Sequence, residues 1–322
     1  MALTIGAGAL LVALGGLSHT STVASARVRH PPPASNAHLL APATIGAERP
    51  IRAYATLKAT AADRLPATPQ HRAAKVATPP PSRPPPSLPN IGAALRMVQA
   101  SEIGGVTVGF AIYGSNGQML GGDNATSENY GGSITKSMLL VAYLRQVGNG
   151  GLSPEAQDEL ESMIEVSDND AANWVYAHLT SPNSAVLDVA SSVGMTGFQL
   201  DTSDPVYVLG QSHVTANDLA RLFADIGSLM PGAQRSFGMG LLSHLSSADQ
   251  VGLLQAGLPG VVYSKEGWKP EPDGLEGAPY IVNQAGQFSN NGNTYGIAFT
   301  VAGVSDEPSG EAIIERITSA LT

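Results

Sequence analysis

Three proline runs, Pro31-Pro32-Pro33, Pro79-Pro80-Pro81 and Pro84-Pro85-Pro86, punctuate residues 27–88, set among alanine, arginine and threonine. Proline has no amide hydrogen and a fixed φ, so such a stretch can build neither a helix interior nor a central strand. No apolar periodicity survives there, and residues 27–88 read as a disordered, partly polyproline linker. Any packed fold must come from residues 89–322. Ahead of the linker, Ile5 to Leu17 is an apolar run of 13 residues, followed by Thr22-Val23-Ala24-Ser25-Ala26. The run is shorter than the roughly 20 residues a membrane span needs. Its small-residue ending predicts a signal peptide over residues 1–26, cleaved after Ala26, although no Lys or Arg precedes it. A secreted or cell-envelope-associated protein is the expectation.

Charge divides the chain the same way. Residues 27–87 hold nine Lys/Arg and two acids; residues 88–322 hold eight Lys/Arg and 24 acids. An acidic body repels phosphate, which argues against nucleic acid as a partner. The basic segment suits contact with an anionic envelope surface, though a solvated linker explains it as simply. The chain has no cysteine, so disulfides, thiolate chemistry and Cys-ligated metals are excluded. No other metal-ligand spacing stands out, and neither a metal nor a cofactor is expected.

Patterning gives an α+β order. A helix over about residues 91–99 leads to a strand at 106–113, a Ser115-Asn116-Gly117 turn and a return strand at 118–121. Asn124-Ala125-Thr126 fits a glycosylation sequon and is read as chance. A helix follows Gly131-Gly132 and ends near Gly148. Ser153-Pro154-Glu155 opens another, read as running through Leu160, Met163 and Ile164 to Trp174. Further helices are predicted over about 184–193, from a capping box at Thr215-Ala216-Asn217-Asp218, and over about 233–245. Residues 197–210 are irregular. The last third turns to strands, at 260–268, 280–288 and 294–301, the latter two joined at Asn290-Asn291-Gly292, with a closing helix over 311–321. An antiparallel sheet built from both ends of the chain, carrying an all-helical insertion, accommodates that order.

Ser133 and Lys136 are three residues apart at a helix start, so their side chains share a face, one turn apart. A desolvated lysine there loses pKa and can take the proton of the hydroxyl. By itself Ser-x-x-Lys is a weak signal, and a helix cap explains Ser133 equally well. Two further motifs follow in order, Ser167-Asp168-Asn169 and Lys265-Glu266-Gly267. Longer segments accompany them: Asp170-Ala171-Ala172-Asn173 after the second, Leu253-Leu254-Gln255-Ala256-Gly257-Leu258-Pro259 before the third, and His213-Val214-Thr215-Ala216 between. Over about residues 91–322 the chain resembles the penicillin-recognising serine enzymes, most closely the class A β-lactamases. Of the three lysines in the folded part, Lys136, Lys265 and Lys269, two lie in these motifs; arginine, which cannot be deprotonated, carries the other positive charges.

The resemblance implies a β-lactamase-like fold and a role for each motif residue. Ser133 would form the acyl-enzyme, with Lys136 helping to deprotonate it. Ser167 would pass a proton to the leaving nitrogen, and Asn169 would bind both the substrate amide and Lys136. Lys265 would bind the substrate carboxylate and sharpen Ser167. Gly267 belongs to the same substrate-binding edge. The oxyanion hole would come from the amide of Ser133 and that of a residue just past the third motif, Lys269 being the candidate. The implied partner is a small-molecule β-lactam or a cell-wall peptide, acted on by a monomer.

Departures from the family bear on turnover and substrate. In class A enzymes a loop glutamate activates the deacylating water, yet no glutamate lies between Glu165 and Glu266. The loop 197–210 offers only Asp201 and Asp204, either as replacements or as ordinary turn carboxylates. Glu266 stands where the family has a hydroxyl, and would repel a substrate carboxylate unless it turns away or pairs with Lys269. An α/β-hydrolase is disfavoured, since Gly-x-Ser-x-Gly is absent. His178, His213 and His244 read as structural or exposed, and Trp268 as a packing residue beside the site. The expected activity is β-lactam hydrolysis through acyl-Ser133, if inefficient, with a cell-wall D-Ala peptidase or esterase, or a slow-turnover penicillin-binding or pseudoenzyme module, as alternatives.

Overall fold

A computed structural model describes residues 89–204, 208–247, 249–260, 262–272 and 277–322. The readings of a signal peptide over residues 1–26 and a linker over 27–88 lie outside the described residues. Five strands form one antiparallel sheet in the order β2-β1-β7-β6-β5. They are β1 (Thr107–Gly114), β2 (Met119–Asp123), β5 (Tyr263–Pro270), β6 (Tyr280–Asn290) and β7 (Asn293–Val304). The pairing of β1 with β7, from Thr107 opposite Ala302 to Gly114 opposite Tyr295, joins the N-terminal hairpin to the C-terminal strands, as the order of elements predicts. The β6–β7 turn is the two-residue Asn291-Gly292, with φ of 52° and 81°, matching the tight hairpin geometry that Asn-Gly favours.

Alternation along these strands assigns each face. Val108, Phe110 and Ile112, with Ile297, Phe299 and Val301, face the first helix α1 (Ile91–Ser101) and the last, α8 (Glu307–Ser319), whose Ala94, Val98, Ile313 and Ile317 close that layer. The Phe110 and Phe299 rings stack at 5.2 Å. Ala111, Tyr113, Ala285 and Ala298 face the opposite layer, built on α6 (Ala216–Leu229) and the inserted helices. Small residues permit this close approach. A Cβ on Gly296 would lie 2.1 Å from the Ala220 carbonyl oxygen of α6.

The inserted helices are α2 (Lys136–Val147), α3 (Pro154–Glu165), α4 (Asn169–Ala177) and α5 (Pro182–Ser192), with α7 (Gly232–Ser243) after α6. Residues 136–144 of α2 are all buried. It is the central helix, wrapped on every side, which is why its sequence lacks a polar stripe.

Four local expectations change. The helix predicted from Ser153 to Trp174 is two helices, broken at Ser167, whose φ is 58°. Asp168 then caps α4 by accepting from the Ala171 amide at 2.8 Å. The box at Thr215 is half formed: its hydroxyl accepts from the Asp218 amide, but the Asp218 carboxylate accepts from the Gly197 amide at 3.0 Å and anchors the preceding loop. The closing helix starts at Glu307, four residues earlier than the pattern suggests, because Asp306 caps it through the Ser309 amide. A short second sheet, β3 (Glu128–Tyr130) with β4 (His213–Thr215), had no sequence signal of its own.

Candidate active site

The chain enters the site from β3 through Gly131 and Gly132 into a tight 3-10 turn, Gly132–Thr135, which runs directly into α2. Gly132 has a φ of 56°, a backbone region that side chains disfavour. The turn is clamped from two sides. The Gly131 amide donates to Ser212 O at 2.7 Å and the Gly132 amide to Gly210 O at 3.0 Å. From β6, the buried Asn283 donates its side-chain amide to Tyr130 O at 2.5 Å and to Gly131 O at 3.3 Å.

Ser133 therefore sits in a fixed turn with Lys136 one turn beyond it. The Lys136 amine lies 3.0 Å from Ser133 Oγ, donates to Asn169 Oδ1 at 2.7 Å and to the Ser167 carbonyl, and lies 3.4 Å from Ser167 Oγ. The second motif's geometry explains these contacts. With Asp168 committed to capping α4, Asn169 opens the helix facing Lys136, and the left-handed turn at Ser167 turns its carbonyl inward. Positive φ on a non-glycine residue is strained and is held where the surroundings over-determine it; here the ammonium and the α4 cap do so. Burial, with help from the nearby positive Lys265, lowers the Lys136 pKa to about 7, against the opposing pull of Asp168 and Asp249.

The third motif lies on β5, the edge strand. Gly267 backs directly onto the Ser133 turn: a Cβ there would stand 2.5 Å from the amide nitrogens of both Ser133 and Ile134. The next amide is also close, since a Cβ on Gly132 would lie 3.2 Å from the Trp268 nitrogen. Trp268 borders, with Ser133, both of the small grooves that meet at this point, of about 160 and 240 Å³. It thus replaces Lys269 as the neighbouring strand amide. The Trp268 side chain is 43 % exposed, not packed as expected. Lys269 borders the smaller groove with Ser133, its amine 2.9 Å from Gln211 Oε1, 3.2 Å from the Glu271 carboxylate and over the Tyr130 ring. A larger groove, near Ile91, Leu258 and Leu321, is bordered by none of the motif residues.

Lys265 is wholly buried and its amine has no hydrogen-bond partner, so its influence on the groove is through charge rather than contact. Burial lowers its pKa, and Asp249 and Glu266 oppose the shift. Glu266 points to the α8 side of β5, where its carboxylate nears those of Glu307 and Glu311. Its carboxylate is thus directed toward α8 while the residue still borders the larger groove with Ser133, Ser167 and Asn169, and Lys269 pairs with Glu271 instead.

The structure thus brings Ser133, Lys136, Ser167, Asn169 and Gly267 together, with Lys265 beneath them. Neither loop aspartate borders these two grooves. The Asp201 carboxylate accepts from the Ser203 amide at 2.7 Å, closing an Asx-type turn, and hydrogen bonds from the Ser203 hydroxyl and then its amide hold its pKa down. Asp204 lies 3.4 Å from the Gln211 side-chain amide. Two residues escaped the sequence reading. Asn283, a polar residue in the apolar run of β6, carried a readable signal. Asp249 borders the larger of the two grooves with Ser133, Ser167 and Asn169, and nothing in the sequence marks it.

Comparison with known proteins agrees with this fold. No curated protein matches the chain. Among solved structures, a class A β-lactamase from Bacteroides cellulosilyticus is similar with a TM-score of 0.59 at 17 % identity, over 73 % of this chain and 98 % of that one. PBP-A is similar with a TM-score of 0.57 at 19 % identity, over 73 % and 96 %. A β-lactamase from Sphaerobacter thermophilus gives 0.55 at 21 %, over 71 % and 95 %. At such identities these likenesses establish the β-lactamase fold, which the antiparallel sheet and helical insertion share. Residues 151–322, more than half of the chain, match the family described as the beta-lactamase enzyme family, and the chain belongs to that family.

Proposed function

We propose that this protein is a serine acyl-transfer enzyme that opens β-lactams on Ser133 and releases the acyl group slowly. The observation that carries the reading is the buried Lys136 amine, 3.0 Å from Ser133 Oγ with its pKa lowered to about 7. An amine half-deprotonated at neutral pH can accept the hydroxyl proton as the oxygen attacks the carbonyl carbon. The tetrahedral oxyanion is received by the Ser133 and Trp268 amides. Collapse breaks the C–N bond, and Ser167 Oγ, within reach of Lys136, hands the proton to the leaving nitrogen. Asn169 and Lys136 hold each other in register throughout.

Slow release rests on the loop. Deacylation needs a base beside the ester to activate water, and Asp201, the nearer candidate by sequence, is bound into its own turn with a lowered pKa. A cell-wall peptide ending in D-Ala presents a similar carbonyl and is the second substrate reading. It is supported by the likeness to PBP-A, a variant of which has been solved as an acyl-enzyme complex with penicillin G. Export to the envelope, where both substrates occur, is the matching location for a chain with the N-terminal segments described above. Stopped-flow mixing with a chromogenic cephalosporin tests the proposal. A burst equal to the enzyme concentration followed by slow turnover is expected; no burst and no turnover would refute it.

A further inference from the structure

On the α8 side of β5, three carboxylates converge. One oxygen each from Glu266, Glu307 and Glu311 lie within 4.8 Å of one another. Glu266 comes from the strand; Glu307 and Glu311, four apart on α8, share one helix face. Glu266 is 2 % exposed, and both its carboxylate oxygens are buried without a hydrogen-bond partner. Buried carboxylates are otherwise paired, hydrogen-bonded or bound to metal. A wholly unpartnered one, aimed at two others, lacks a counterpart.

We propose that Glu266, Glu307 and Glu311 form a binding site for a hard divalent cation of the calcium class, adjoining the acylation groove that Glu266 also borders. The donor set is oxygen only, with no histidine or thiolate, which suits calcium or manganese rather than zinc. Three carboxylates exceed what magnesium, which keeps most of its water, ordinarily takes from protein. Glu307 and Glu311 are half-buried, so the site opens to solvent on one side, leaving room for water to complete the shell. Charge agrees with that geometry: among the described residues Lys265 is the cationic group acting on Glu266, and a divalent cation bound by the three carboxylates leaves a net charge near −1. The bound ion ties β5 to α8 and so braces the strand carrying Lys265 and Gly267 against the Ser133 turn.

The test uses the full chain, stripped of metal, titrated with Mn²⁺ at pH 8 and followed by the electron paramagnetic resonance of the free aqua ion. One Mn²⁺ per chain is expected, displaced by Ca²⁺, with affinity falling at least about tenfold between pH 8 and pH 6 as protons compete. Glu311→Gln and Glu307→Gln should each weaken binding at least about tenfold, and Ser133→Ala should not. Circular dichroism confirms that each variant folds. No Mn²⁺ bound at about 1 mM, or binding that survives both glutamate substitutions, overturns the proposal. Either result leaves acylation at Ser133 untouched.

Discussion

The Lys136 amine donates to Asn169 Oδ1 at 2.7 Å, joining the first residue of α2 to the first residue of α4. The contact fixes the amine's direction, so that its remaining reach falls on Ser133 Oγ and Ser167. Asn169→Ala removes the acceptor and frees the amine to rotate. Hydrogen bonds to charged groups contribute about 1.5–3 kcal/mol, so the acylation rate should fall about tenfold to a hundredfold. Stopped-flow acylation with a reporter β-lactam measures it.

Lys136 as a base fixes a pH profile. Only the neutral amine accepts the Ser133 proton, and its pKa is lowered to about 7 by burial and by Lys265. The acylation rate should therefore rise about tenfold per unit below pH 7 and level off above it. Lys136→Arg keeps the charge but cannot lose the proton, and should abolish acylation at every pH.

Gly267 is required for its missing side chain. A Cβ would meet the Ser133 and Ile134 amide nitrogens at 2.5 Å, and backbone cannot yield as a flexible side chain does. Gly267→Ala should push β5 away from the turn that carries the nucleophile. Misplacement on the order of 1 Å can cost about a hundredfold in rate, and the acylation rate should drop by that order while circular dichroism stays native.

The loop aspartates give a negative prediction. Asp201 is bound to the Ser203 amide and Asp204 lies by Gln211. Asp201→Asn and Asp204→Asn should each change the rate of acyl release by less than about twofold, since neither removes a general base, a loss that typically costs about a hundredfold or more. A large fall in either variant would assign that carboxylate to deacylation.

Glu266 makes stability depend on pH. In the folded chain it keeps its proton to about pH 8, whereas in the unfolded chain it releases it near the ordinary glutamate value of 4.5. Between those values the folded state binds more protons, so this group's contribution falls as pH rises. In chelator-containing buffer, Glu266→Gln should raise the melting temperature relative to the parent at pH 8, with the difference shrinking toward pH 5. Differential scanning calorimetry at both pH values reads the effect.

Much of this was legible in the sequence where one local cause decides. The Asn-Gly turn, the helix opened by Ser153-Pro154-Glu155 and the strands at 106–113 and 294–301 each announced themselves. So did the order Ser133, Lys136, Ser167, Asn169, Lys265. What stayed hidden depends on contacts between distant segments. The break at Ser167 follows from a carbonyl drawn to Lys136, 31 residues away in sequence. Asp218 is a helix-cap residue by pattern, yet the Gly197 amide claims its carboxylate. Asp249 borders the groove beside Ser133, and the Glu266 carboxylate nears Glu307 and Glu311, only through the packing of segments distant in sequence. Neither fact is written in residue spacing.

The claim at the centre is that Ser133 is the nucleophile of an acyl-transfer site. Intact-mass spectrometry of the protein incubated with benzylpenicillin tests it most directly. The account predicts a single adduct with the full mass of the penicillin, mapped by peptide digestion to Ser133, persisting for many minutes and absent from Ser133→Ala. An adduct of the same mass on Ser133→Ala would contradict it.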